Sequence, residues 1–179
     1  NSITTSILNS TFINNSAVYA GGALFYKENA IAKQHYVANS TFLGNSTEKA
    51  DEGVTSGTTA NYYPYGGGAI HVGRGNRAWS NNNTNTNVQL FNSILLDNTA
   101  GGVSSDIYCF NTSMSVKSYY NIYTKATNLH KDVSTKNDVT NLTVGDLFDL
   151  TAIKKTETVD GVEKTYYVTN KGNSIELKE

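Results

Sequence analysis

The chain is poor in the residues that usually announce a mechanism. Its 179 residues include one Cys, one Pro, one Trp and one Met, and its formal net charge is −1. With Cys109 alone, no internal disulfide can form. In the strand-like run Asp106-Ile107-Tyr108-Cys109-Phe110 the thiol reads as a small buried hydrophobe rather than a nucleophile. No stretch approaches the roughly 18 consecutive apolar residues of a membrane-spanning helix, so no direct membrane insertion is expected. A near-neutral chain also lacks the basic surface that nucleic acid requires. Metal-ligand spacings such as His-x-x-x-His or Cys-x-x-Cys are absent, no cofactor is expected, and His35 and His130 are isolated. Apolar residues at helical spacing are missing over any useful length, which excludes helical repeats. The chain opens at Asn1-Ser2-Ile3, in repeat-like sequence without an initiating Met, signal or anchor segment. It is therefore expected to be a piece of a longer protein, with a first strand edge that something else covers.

What the chain has is Asn, Ser, Thr and Gly, with 12 Tyr and 6 Phe that argue for an ordered fold rather than a disordered one. Three segments repeat: Asn-Ser-Thr-Phe-Ile-Asn-Asn at 9–15, Asn-Ser-Thr-Phe-Leu-Gly-Asn at 39–45 and Asn-Ser-Ile-Leu-Leu-Asp-Asn at 92–98. Aligned on Asn-Ser, they stack Ile7 with Val37 and Leu90, Ser10 with Ser40 and Ser93, and Phe12 with Phe42 and Leu95. Self-similarity at this spacing predicts stacked repeats, and the short β-branched and aromatic runs between turn residues make each repeat a set of short strands. In such a stack each repeat buries its face only against its neighbours. The column Asn15, Asn45 and Asn98 is expected to form a ladder of amides, in a corner where Asn tolerates the left-handed conformation. A second marker follows each copy: Gly21-Gly22, Gly67-Gly68 and Gly101-Gly102, expected to turn a second corner.

Gly-Gly-Ala-aliphatic (Gly21–Leu24, Gly67–Ile70) alternating with Phe-x-x-Asn (Phe12–Asn15, Phe42–Asn45) resembles the repeat signature of the polymorphic outer-membrane proteins and related adhesin-like surface proteins. The third copy is degenerate, with Leu95–Asn98 for Phe-x-x-Asn and Val103 for Ala. The resemblance implies an all-β fold, a right-handed parallel β-helix of the pectin-lyase-like kind. It also implies an extracellular or cell-surface location and a non-catalytic role in adhesion, glycan binding or as a structural stalk. The partners it implies are a polysaccharide or surface glycoprotein, neighbouring copies, or further coils of a longer parent chain.

The spacing places coils over 1–130, with loop insertions at 46–66 and 73–87, and a C-terminal β element over 131–179. That element holds 16 of the 29 charged side chains, which marks the change of composition at about 130. It reads as a cap, with Phe148, Leu150 and Ile153 covering the last coil, or as the start of a second module. Thr156–Val159, Asp160-Gly161 and Val162–Val168 spell a two-residue hairpin. Ligand chemistry is expected at the insertions. Tyr62, Tyr63, Tyr65 and Trp79 could stack on sugar rings, while His71, Arg74 and Arg77 supply a base and cations for acidic sugars. The alternatives are a polysaccharide lyase, which alone would call for Ca²⁺, or a glycoside hydrolase of the same fold, and a structural subunit of a surface filament. Asp97 and Asp106 are the only acids of the coils that could converge, and Asp97 reads first as a solvated turn residue. The Asn-x-Ser/Thr triplets at Asn9 and Asn39 belong to the repeat itself and read structurally, and others fall at Asn14, Asn45, Asn82, Asn111 and Asn141.

Overall fold

A computed structural model of the chain describes residues 4–27, 33–50, 65–73, 86–109, 115–124, 133–147 and 154–167. The fold is all-β with parallel sheets. The chain enters four sheets in a fixed order and then returns to the first. The first round is β1 (Ser6–Leu8), β2 (Thr11–Ile13), β3 (Ser16–Ala17) and β4 (Leu24–Lys27). The second is β5 (Lys33–Ala38), β6 (Thr41–Leu43), β7 (Ser46–Thr47) and β8 (Ile70–Gly73). The third is β9 (Thr86–Phe91), β10 (Ile94–Leu96), β11 (Thr99–Ala100), a returning β12 (Val103–Ser104) and β13 (Ile107–Cys109). A fourth round is partial: β14 (Ser115–Tyr119) and β15 (Ile122–Tyr123), followed by β16 (Val133–Lys136). Strands of successive rounds pair in parallel, giving the orders β1-β5-β9-β14-β16, β15-β10-β6-β2 and β13-β8-β4. The order β12-β11-β7-β3 is parallel except for β12. The strand β16 lies beyond residue 130 yet pairs with β14, so the stacked pairing runs past the expected boundary. Likewise β7 and the start of β9 fall inside the expected insertions and belong to the sheets.

Register follows the repeat. Ile7 pairs with Val37, Val37 with Leu90, and Phe12 with Phe42 with Leu95. The Phe12 and Phe42 rings lie face to face, 4.7 Å between centroids and 6° from parallel. Inward residues of three sheets meet in one core that includes Val37, Phe42, Ile70, Leu90, Leu95, Ile107 and Cys109. Fully burying such a side chain is worth about 1.5–3 kcal/mol, so each added round brings its own share of stability.

Two corners are left-handed turns. Asn9, Asn39, Asn92, Tyr120 and Asn137 form one column with φ between 46° and 58°. Asn14, Gly44 and Asp97 form the other, with φ of 53°, 63° and 54°. The ladder asparagines are not among the positive-φ residues, which corrects the expectation from sequence. The residue before each of them takes the strained turn. The ladder residue that follows is left free to aim its amide along the stack.

The Gly-Gly markers also divide. Gly21 and Gly67 have φ of 63° and 71°. Gly22 and Gly68 are glycines because neighbouring backbone leaves no room. A Cβ on Gly68 would stand 2.4 Å from Thr99 N and 2.6 Å from Ser105 O. Gly101-Gly102 is different: its φ values of 57° and 77° make a tight hairpin between β11 and antiparallel β12. Ile70 pairs with Ile107, so the third corner is Ser104-Ser105-Asp106, and Asp106 occupies the column of Ala23 and Ala69. The expected third Gly-Gly-Val copy is therefore an inserted hairpin, out of register by three residues.

Beyond the sheets, Val144–Leu147 forms one short helix, α1. Val144, with Leu142 and Leu147, packs against Leu43 and Leu96. Those leucines project from the face of β6 and β10 opposite to Phe42 and Leu95, so this segment covers a sheet's outer face. The residues expected to cover the last coil, Phe148, Leu150 and Ile153, lie outside the described residues. The hairpin β17 (Lys154–Val159) and β18 (Val162–Tyr167) turns at Asp160-Gly161 with φ of 53° and 78°.

Candidate functional site

Of the residues the sequence nominates for ligand contact, Tyr65 and His71 can be placed. Tyr62, Tyr63, Arg74, Arg77 and Trp79 lie outside the described residues. Tyr65 is half-buried and stacks on Tyr19 at 5.5 Å between ring centroids. His71 is fully buried, which corrects its reading as a surface base. Strand pairing places Phe25 and Tyr108 on either side of it, with ring centroids at 5.2 and 5.4 Å. Its Nδ1 lies 3.1 Å from Gly66 O. The imidazole is one rung of an aromatic column. His35 is also structural: its Nδ1 accepts from Thr5 N at 3.2 Å, and its ring lies against Tyr26.

The polar columns are continuous. Asn15 donates its backbone N–H and Nδ2 to Asn45 Oδ1 at 3.1 and 2.9 Å. Asn45 donates the same two groups to Asn98 Oδ1 at 3.0 and 2.9 Å. Asn98 Nδ2 then meets Asp106 Oδ1 at 2.9 Å, and Thr124 N meets Asp106 Oδ2 at 3.3 Å. In the second column, Ser10 N donates to Ser40 Oγ and Ser40 N to Ser93 Oγ. Ser93 N then donates to Asn121 Oδ1, and Asn121 N to Asp138 Oδ1. Each column thus ends on a carboxylate.

These acids are structural terminators. Asp106 is fully buried, and burial pushes its carboxyl up to about 7 against the pull of its Asn98 and Thr124 donors, with Asp97 adding like charge. The Ser118 hydroxyl donates to Asp138 Oδ2 at 2.5 Å. The Tyr123 hydroxyl therefore donates to Ser118 Oγ at 2.6 Å, and burial raises the Tyr123 pKa well above its usual value. Among the described residues no group of three or more His, Cys, Asp or Glu is placed to hold a metal ion. Asn45 is fully buried in its ladder and closed to glycosylation, whereas Asn9 and Asn39 are exposed.

Among the described residues, an outward face that the repeat alignment does not single out is that of β1-β5-β9-β14-β16. Residues of β9 alternate, with Thr86, Val88 and Leu90 buried and Asn87, Gln89 and Phe91 turned outward. Register then aligns Tyr36, Gln89 and Lys117 in one outward column, and Leu8, Ala38, Phe91 and Tyr119 in the next. The Phe91 and Tyr119 rings stack at 5.2 Å and 13°. Ser115 Oγ donates to Asn87 Oδ1 at 2.6 Å in the third outward column. Period-two alternation in Thr-Asn-Val-Gln-Leu-Phe carries the signal, but only pairing brings these side chains from distant segments together. Comparison with family models, with curated proteins and with solved structures finds no match for this chain.

Proposed function

We propose that the stacked sheets form a right-handed parallel β-helix of an adhesin-like, extracellular or cell-surface protein. Its role is non-catalytic, and it binds an extended polysaccharide or the glycan of a surface glycoprotein along the outer face of β1-β5-β9-β14-β16. The observation that carries this reading is the aligned outward set of Tyr36, Phe91 and Tyr119 with Gln89 and Lys117. Aromatic faces take the apolar faces of sugar rings, amides take their hydroxyls, and the lysine ammonium favours acidic sugars. Rounds repeat at about 4.8 Å, close to the length of one sugar residue, so a linear glycan lying along the stack meets one rung of outward side chains per residue. The test is calorimetric titration of neutral and acidic polysaccharides, with and without Ca²⁺. The expected result is saturable heat, weakened at least about tenfold in Phe91→Ala/Tyr119→Ala. If Tyr63→Ala/Trp79→Ala abolishes binding instead, the ligand belongs at the insertions. Continuing heat with product formation would overturn the non-catalytic reading.

A further inference from the structure

The hairpin of β17 and β18 stands apart from the stacked pairing. Among the described residues each of its strands pairs only with the other. Residues 155–158 and 160–165 are exposed, so neither face of the hairpin is covered. A two-stranded hairpin by itself is marginally stable in water, and its outer edges carry unpaired backbone groups. The turn fixes which groups these are. With a two-residue loop the closing pair, Val159 and Val162, exchanges hydrogen bonds, and bonded pairs then alternate with non-bonded ones. Glu157 with Lys164 and Lys155 with Tyr166 are therefore bonded pairs. Lys154, Thr156 and Thr158 turn their N–H and C=O groups away from β18. Period two also sets Lys155 and Glu157 on one face with Lys164 and Tyr166. There the Tyr166 hydroxyl donates to Glu157 Oε2 at 3.3 Å.

We propose that the outer edge of β17 pairs antiparallel with β17 of a second copy of this chain, about a two-fold axis at Thr156, to join the two hairpins into one continuous sheet. Charge complementarity selects this occupant and this register. The strand reads Lys154-Lys155-Thr156-Glu157-Thr158-Val159. An axis at Lys154 or Lys155 sets lysine against lysine, and an axis at Glu157 sets glutamate against glutamate, which opposes pairing. An axis at Thr158 or Val159 runs the pairing into the turn. An axis at Thr156 sets Lys155 opposite Glu157 of the second copy and, by symmetry, Glu157 opposite its Lys155. It also brings together the outward groups of Thr156, and those of Lys154 with Thr158. Lysine on an edge strand normally blocks pairing. Here it removes the neighbouring registers and leaves one. The edge of β18 offers less, since an axis at Thr165 sets Lys164 against Tyr166 and Glu163 against Tyr167, with no opposite charge. Pairing β17 with β18 of the next copy repeats the Glu157 and Lys164 contact once, and being heterologous it makes an open ribbon rather than a closed pair. The inference rests on the hairpin alone and is independent of glycan binding.

The test is sedimentation equilibrium of the whole chain at concentrations up to about 1 mM, where a monomer–dimer equilibrium is expected. Lys155→Glu sets acid against acid at both contacts across the axis, and Glu157→Lys sets base against base. Each alone should weaken the dimer at least about tenfold. Mixed in equal amounts, the two variants should associate about as tightly as the parent, because the mixed pair restores opposite charges at both contacts. Thr156→Pro removes an N–H that faces away from β18 and leaves the bonded pairs of the hairpin in place, as proline does on edge strands. It should abolish the dimer while the thermal midpoint stays close to that of the parent. Glu157 also faces Lys164 within its own hairpin, so Thr156→Pro and Lys155→Glu decide the matter if Glu157→Lys does not fold. A monomer throughout overturns the proposal, and so does a dimer indifferent to these variants. A mixture of folded variants that associates no better than either alone overturns the register about Thr156. Species that grow beyond a dimer would give β17 to β18 of the next copy and overturn the closed pair.

Discussion

At the scale of single residues, the buried ladder positions carry the largest effects. Asn45 makes four side-chain hydrogen bonds, two as acceptor from Asn15 and two as donor to Phe12 O and Asn98 Oδ1. Asn45→Ala leaves buried partners unsatisfied and should cost about 2–4 kcal/mol in urea unfolding. Asn15→Ala at the exposed end should cost under about 1 kcal/mol. Tyr120 holds φ of 58° in a column otherwise filled by Asn, and its side chain is exposed. A bulky residue is strained there, so Tyr120→Asn should stabilise by about 0.5–1 kcal/mol. Asp106 makes stability fall as pH rises. Its folded pKa of about 7 lies above the ordinary aspartate value of 3.8. The folded state thus holds a proton that the unfolded state has lost, and the stabilisation present below about 4 disappears as pH rises through 7. The slope is at most about 1.4 kcal/mol per pH unit. Denaturation between pH 4 and 8 should show this fall, and Asp106→Asn should flatten it.

At the scale of elements, the short strands hold because each pairs in register with the same position one round on. Their own propensity contributes little at two to six residues each. The helix α1 has four residues and depends on its contact with Leu43 and Leu96 for its existence. Val144→Ala should therefore cost about 1–2 kcal/mol, and 142–147 should lose amide protection before the sheets do in hydrogen exchange. The hairpin of β11 and β12 shows how a turn signal misleads. Gly101-Gly102 resembles the two earlier corners in composition but is a hairpin turn, and the corner itself is built from serine and aspartate.

For the whole molecule, the proposed β-helix implies that stability is a sum over rounds and their interfaces. The middle of the stack, β6 and β10, has neighbours on both sides, whereas β2 and β15 lie at the ends of their sheet. Hydrogen exchange should be slowest at amides such as Asn45 and Leu95 and faster in the first round. A uniform profile would contradict additive stacking.

The sequence by itself determined the all-β class, the parallel register of Asn9–Asn15 with Asn39–Asn45 and Asn92–Asn98, the amide column and the Asp160-Gly161 hairpin. These follow from residues near in sequence or identical between repeats, where local turn chemistry and matching side chains agree. Tertiary structure alone decided the rest. The third corner required knowing that Ile107 pairs with Ile70, since Gly101-Gly102 lies three residues out of step. The burial of His71 and Asp106 depends on neighbours from other rounds, which no local pattern reveals. The outer face of Phe91 and Tyr119 exists only because pairing sets side by side two strands 28 residues apart in the chain. The packing of Val144 on Leu43 joins segments about a hundred residues apart, and hydrophobic contact, being non-directional, leaves no local mark of its partner.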